Sequence, residues 1–227
     1  AKNNKVILLE DPSKISKSNP DKNIELNHLD SGSKTNEIVN NSDLIIYQAL
    51  LEANKTPNDL NQHLQKTYNL LSASIESGIP QFIVLSSLKL INLYDDSNTV
   101  TETWKSTPHT NVSLLSAHLT EMIFREFTRT FPIKSSILRL GYPIFYEKGN
   151  LKNDIITSVT IDEILTAIDR IISLQNSKRW EIYHFQSNIK NQKFLTKKSN
   201  NILGVPKDNR EPFKETFYSP KLRGSKL

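Results

Sequence analysis

The side chains best placed for chemistry are two adjacent hydroxyls, Ser86 and Ser87, at the end of the run Phe82-Ile83-Val84-Leu85. That run is β-branched and aromatic, follows Gly78-Ile79-Pro80, and is too short for a helix. It predicts a central strand of a parallel sheet, buried on both faces. Ligands of open α/β sheets bind beyond the carboxyl ends of such strands, where both serines fall. Glu10, Asp11 and Asp30 end other predicted strands and read, taken alone, as plain strand-end acids. Metal chemistry has little to work with: His28, His63, His109, His118 and His184 are scattered, no two at ligand spacing on one helix face. They read as ordinary surface or edge histidines, and no metal site is expected. The absence of cysteine excludes disulfides, thiol nucleophiles and cysteine metal sites.

The elements that would position these groups alternate. Lys5 to Asp11 reads as a strand, and Ile24 to Asp30 as an alternating one. Residues 31 to 42 hold a short helix at most, and Asp43 to Tyr47 is a third strand. Pro57 to Ser77 predicts a helix with the stripe Leu60, Leu64, Tyr68, Leu71 and Ile75, stopped by Gly78. Residues 92 to 112 are polar and read as a loop. Ser113 to Thr130 predicts a second helix with Leu115, Leu119, Met122, Ile123 and Phe127 inward. Ser135 to Gly141 is the next strand, and a short one lies within 150 to 159. Thr160 and Glu163 form a capping-box signature before a helix with Ile164, Ile168 and Ile171 inward. Asp162 and Glu163 complement its dipole. Trp180 to Phe185 is a last edge strand, after which the pattern fades. Strands alternating with helices predict an α/β fold, a parallel sheet with right-handed crossovers.

Composition suits a soluble globular protein: 37% hydrophobic and 23% charged residues over 227. No apolar run approaches a membrane span, and no secretory signal opens the sequence. The net charge of +5 is uneven. Residues 188–227 hold ten Lys/Arg and three Asp/Glu, so they carry +7 and residues 1–187 carry −2. The expected division is therefore a domain over 1–187 and a basic C-terminal tail over 188–227. Such a tail is solvated, docks on a protein neighbour, or binds nucleic acid. In it, Phe213, Phe217 and Tyr218 interleave with Lys214, Lys221 and Arg223. Ser225-Lys226-Leu227 matches a peroxisomal import tripeptide if it is the true C-terminus; otherwise the cytoplasm or an organelle matrix is expected.

The order of motifs resembles the extended short-chain dehydrogenase/reductase superfamily, of the NAD-dependent epimerase/dehydratase type. Asn69-Leu70-Leu71 through Gly78 to Ser87 is similar to that family's helix and serine strand. Thr101-Glu102-Thr103-Trp104 with Pro108 resembles the acidic-then-proline loop that follows. Glu121, Ile137-Leu138-Arg139-Leu140-Gly141 and Leu203-Gly204-Val205-Pro206 resemble its next helix, next strand and C-terminal Leu-Gly-x-x-Pro. The resemblance spans about residues 5 to 208. It implies a Rossmann-like sheet and NAD(P), with Ser87 at the catalytic Ser/Thr position and Asp11 and Asp30 beside the adenosine.

The functional parts of that pattern are depleted. The family grips pyrophosphate with a Gly-rich turn between its first strand and helix. No Gly-x-x-Gly-x-x-Gly occurs here, and the first glycine is Gly32. Residues 6 to 11 resemble the family's second strand, so the Gly-rich unit has no counterpart in this sequence. Registering on Ser116, Leu119 and Glu121 puts Ser113 at the family's Tyr position and Ala117 at its Lys position. A serine is a far weaker acid than a phenol, and alanine carries no charge. The stretch from Gly141 to Thr160 is also short for a substrate-covering segment. Three readings follow. The first is a non-catalytic pseudoenzyme that binds no cofactor and serves as a scaffold or binding subunit with protein partners. The second is an NAD(P)-dependent sugar-nucleotide epimerase, dehydratase or reductase with an atypical site, binding through Asp11, Asp30 and Ser87. The third is a nucleic-acid binder acting through residues 188–227.

Overall fold

A computed structural model describes residues 8–10, 24–26, 29, 32–144, 157–174, 178–187 and 192–204. The elements in order are β1 (Leu8–Glu10), β2 (Ile24–Leu26), α1 (Ser33–Asn40), β3 (Ile45–Gln48), α2 (Pro57–Glu76) and β4 (Gln81–Ser87). A 3-10 turn (Leu88–Ile91), α3 (Val112–Thr130), β5 (Lys134–Leu140) and β6 (Tyr142–Ile144) follow. The last are β7 (Ser158–Thr160), α4 (Ile161–Ser173), β8 (Trp180–Phe185) and α5 (Lys197–Leu203). Strands β3, β4, β5 and β8 lie side by side in that order, every neighbour parallel. Two further parallel pairs, β1–β2 and β6–β7, stand apart from this sheet. This is the Rossmann-like α/β architecture expected from the sequence.

The apolar run of β4 explains why it lies inside the sheet. Phe82, Ile83 and Val84 are all fully buried. Phe82 and Val84 pack with Ile137, Leu70, Leu71 and Phe124, on the side of α2 and α3. Ile83 packs with Leu138, Ile164, Ala167, Ile171 and Tyr183, on the side of α4.

The predicted stripe of α2 holds at Leu60 and Leu71 and fails at Tyr68, whereas α3 is rotated from the face that leucine spacing predicts. α2 buries Leu60, Thr67, Leu70, Leu71, Ala73 and Ser74, and leaves Tyr68 57% exposed. α3 buries Ser116, Ala117, Thr120, Glu121, Phe124 and Thr128, and leaves Met122 51% exposed. Small side chains let the helix axes approach the sheet closely. Three of their hydroxyls lose no hydrogen bond on burial, because they donate one turn back: Thr67 to His63 O at 2.8 Å, Ser74 to Leu70 O at 2.6 Å, and Thr128 to Phe124 O at 2.7 Å.

The capping signature at α4 forms as expected. Thr160 Oγ1 accepts from Glu163 N at 3.2 Å, and Glu163 Oε2 accepts from Thr160 N at 2.8 Å. β6 was not expected. It pairs with β7 through a close approach at Gly141, where a Cβ would stand 2.6 Å from Thr157 O. After Ser187 the structure departs from the fading pattern. Val100 and Phe194 form a parallel bridge, with Val100 N donating to Lys193 O at 2.8 Å and Leu195 N to Val100 O at 2.9 Å. Lys193 Nζ donates to Asn92 O at 2.8 Å, to Asp96 Oδ1 at 2.7 Å and to Tyr94 O. α5 then packs on β8, with Ser199 Oγ donating to His184 O at 2.6 Å and Leu203 fully buried. A helix of seven residues is too short for its periodicity to stand out in the sequence.

Candidate functional site

β4 carries its two serines to the carboxyl end of the sheet and points them apart. Ser87 is half-buried, and its oxygen accepts from Lys89 N at 3.2 Å, capping the 3-10 turn. Ser86 is buried and faces α3, where its hydroxyl donates to Glu121 Oε1 at 2.6 Å.

Glu121 in turn receives Arg139 of β5 through two bonds, Nε to Oε1 at 3.1 Å and Nη2 to Oε2 at 2.7 Å. Both ions are buried. Parallel register sets Ser86, Arg139 and His184 side by side across β4, β5 and β8. A row of polar groups therefore crosses the sheet at one level, tied to α3 by Glu121. His184 is fully enclosed, with the Phe194 ring edge-on at 6.1 Å. Its pKa falls to about 3, chiefly because burial disfavours the cation, and then because the charges of Arg139 and Lys198 repel it. The neighbouring backbone of Leu195 and Val100 pulls weakly the other way. Arg139 Nη1 and both His184 ring nitrogens are buried without a hydrogen-bond partner among the described residues. His184 thus lies on an edge strand, as expected, but its side chain is interior and not at the surface.

The first turn of α3 is fastened to the loop after β3. Ser113 Oγ donates to Leu51 O at 2.5 Å, Ser116 Oγ to Ala49 O at 3.2 Å, and Leu51 N to Ser116 Oγ at 2.9 Å. Ala117 is fully buried in the apolar cluster that holds Ala49, Val84 and Leu90. Asp11 and Asp30 lie outside the described residues, as do Phe213, Phe217, Tyr218 and the remaining tail residues beyond Gly204. His63 meets Thr120 at 3.1 Å and His118 meets Ser106 at 2.8 Å. Among the described residues, no group of three His, Asp or Glu is placed to hold a metal ion. No helix among them is long and apolar enough to cross a membrane.

Sequence reasoning quoted Glu121 and Arg139 as family landmarks and missed that they form one network with Ser86, with His184 in register beside Arg139. The signal was present. An arginine inside Ile137-Leu138-Arg139-Leu140 has no solvent to reach and needs a buried counter-ion. Chemically, the carboxylate is fully used, with both Glu121 oxygens engaged and the Ser86 proton committed to one of them, while Arg139 Nη1 and the His184 ring nitrogens keep unfilled hydrogen-bonding capacity among the described residues.

No protein-family model and no curated protein sequence matches the chain. Solved structures do match in fold. A glucuronic acid dehydrogenase from Chromohalobacter salexigens superposes with a TM-score of 0.71 at 19% identity, over 86% of this chain and 73% of that one. A mutant uronate dehydrogenase from Agrobacterium tumefaciens, complexed with NAD, gives 0.69 at 18% identity, over 86% and 72%. A UDP-N-acetylglucosamine 4-epimerase from Bacillus cereus gives 0.68 at 11% identity, over 89% and 84%. The parallel sheet that carries the Ser86–Glu121–Arg139–His184 row is therefore the fold of these sugar dehydrogenases and epimerases.

Proposed function

We propose that this chain is a non-catalytic protein on a dehydrogenase/epimerase fold, serving as a binding subunit or scaffold in a larger assembly. The observation that carries the reading is the state of α3. The residue at the Tyr position of the resemblance, Ser113, spends its proton on Leu51 O, and the residue at the Lys position, Ala117, is closed inside the apolar core. A phenol made acidic by a neighbouring lysine is what proton exchange at a sugar carbon requires. Neither group is present, and no space is kept for the second. These residues do not fit the nicotinamide end of a dinucleotide as a reactive cofactor.

The test is turnover and binding by the full chain. NADH and NADPH are titrated while nicotinamide fluorescence is followed, and UDP-sugars and uronic acids are assayed with NAD and NADP. The expected result is no turnover. Conversion of any of these substrates by purified protein overturns the reading.

The second reading is an enzyme that binds NAD(P) at an atypical site, with Ser87 holding substrate. The NAD bound in the Agrobacterium structure, which shares this fold, favours it. Saturable cofactor fluorescence that Ser87→Ala weakens supports this reading; no signal at millimolar cofactor removes it.

A further inference from the structure

At the carboxyl ends of β5 and β8, Arg139 Nη1, both His184 ring nitrogens and Gln186 Oε1 are enclosed without a hydrogen-bond partner among the described residues. These side chains share one face of the sheet. Arg139 and His184 are register partners on neighbouring strands. Gln186 follows His184 by two positions, and so points the same way. The pairing runs on past the strand ends, with Gly141 N donating to Phe185 O at 2.9 Å. A Cβ on Gly141, two positions after Arg139, would stand 3.2 Å from Gln186 Cβ. None of the three side chains belongs to a residue more than 3% exposed.

The rest of each group's bonding is already fixed. Arg139 spends Nε and Nη2 on Glu121, and Gln186 Nε2 donates to Gln192 Oε1 at 3.0 Å. What is left is a guanidinium donor, an amide acceptor and an imidazole, which when neutral offers one donor and one acceptor. Interior polar atoms left bare are unfavourable, and an atom already sealed in by this chain cannot be relieved by a side chain from another polypeptide.

From this arrangement we infer that the Arg139, His184 and Gln186 side chains hold one structural water between them. The water accepts a hydrogen bond from Arg139 Nη1, donates one to Gln186 Oε1, and takes a His184 ring nitrogen as its third partner, the usual count for a buried water being about three. Charge argues against an ion. Glu121 already balances Arg139, and His184 stays neutral because burial and the neighbouring cations hold its pKa at about 3. Size argues against a larger guest. A space that one water just fills leaves almost no accessible area on its walls, whereas a bigger molecule needs more. The water joins β5 and β8 to the segment leading into α5, because Gln192 Nε2 in turn donates to Thr196 Oγ1 at 2.7 Å. This inference goes beyond the binding-subunit reading and is independent of it, since the same water suits an enzyme equally.

The test is a crystal structure of the full chain at a resolution that shows ordered water. The expected result is a density peak about 2.7–3.2 Å from Arg139 Nη1, Gln186 Oε1 and a His184 nitrogen. In solution, oxygen-17 relaxation dispersion of water is expected to lose the amplitude of one long-lived water in Gln186→Met, which keeps the bulk and removes the acceptor. Gln62→Met, at an exposed position on α2, is expected to leave that amplitude unchanged. The native crystal decides the matter whether or not Gln186→Met folds. No peak between these side chains overturns the inference. So does a His184 ring bonded directly to the backbone of Val100 or Leu195, which leaves the water without its third partner. An anomalous peak there after a bromide soak overturns it as well, since an anion then holds the site. Equal dispersion amplitudes in the native chain and a folded Gln186→Met do the same.

Discussion

Glu121 of α3 and Arg139 of β5 meet inside the sheet–helix layer as a two-bonded ion pair, and Ser86 of β4 adds a third bond to the same carboxylate. Taking either ion out leaves the other buried without its charge partner. Glu121→Ala and Arg139→Ala are each expected to cost about 3–5 kcal/mol in urea unfolding. Ser86→Ala removes one bond to a charged acceptor and is expected to cost about 1.5–3 kcal/mol. The double variant Glu121→Leu with Arg139→Met is expected to be less damaging than either single one. A double variant as unstable as the sum of the singles removes the pairing argument.

His184 gives stability a pH dependence with a definite sign. The unfolded chain takes up the imidazole proton below about pH 6.5, and the folded chain only near pH 3. The contribution is therefore complete above pH 6.5 and is lost as pH falls from 6.5 toward 3. One proton sets a slope of about 1.4 kcal/mol per pH unit in that window. Denaturant midpoints across this range are expected to show that slope in the native chain and a shallower one in His184→Phe. Equal slopes locate the acid sensitivity elsewhere.

Introducing a Tyr and Lys pair at α3 is expected to harm the protein without creating an enzyme. Ala117→Lys places an ammonium in a site with no exposure, one turn before Glu121, whose carboxylate already holds Arg139 and Ser86. Overpacking alone costs about 1–3 kcal/mol, and burying the charge adds to that. Ser113→Tyr forfeits the bond to Leu51 O. The double variant is expected to unfold at lower urea and to show no sugar-nucleotide turnover. Native-like stability together with activity contradicts this account.

Gly141→Ala tests the contact between β6 and β7. The added methyl meets a backbone oxygen, Thr157 O, at 2.6 Å, and a backbone atom yields less readily than a flexible side chain. The expected loss is about 1–3 kcal/mol, with faster amide exchange at Tyr142, which donates to the same oxygen. A fully stable variant with unchanged exchange rejects the close approach.

The strands were legible because β4 and β5 are apolar runs of strand length, and the capping box at Thr160 was legible because it is a local exchange of two bonds. The face of α3, and part of that of α2, were not. Leucine spacing marks Tyr68 and Met122 as inward, while the sheet takes Thr67, Ser74, Ser116 and Ala117. Hydrophobicity does not reward a small residue for letting two backbones come close. The burial of His184 was missed because it depends on Phe194, whose ring packs edge-on against it from a part of the sequence with little periodicity. The Glu121–Arg139 pair joins different elements through tertiary packing, and no local pattern encodes its geometry.

The Val100–Phe194 bridge also bears on the order of events during synthesis. The stretch around Val100 emerges from the ribosome well before its partner, and Lys193 must reach back to Asn92, Tyr94 and Asp96 to complete the clasp. Closing so long a loop costs only slightly more than closing a shorter one, since the entropy grows with the logarithm of length. The penalty is paid in time: the face of β8 around His184 stays open to water until the last part of this clasp has been translated.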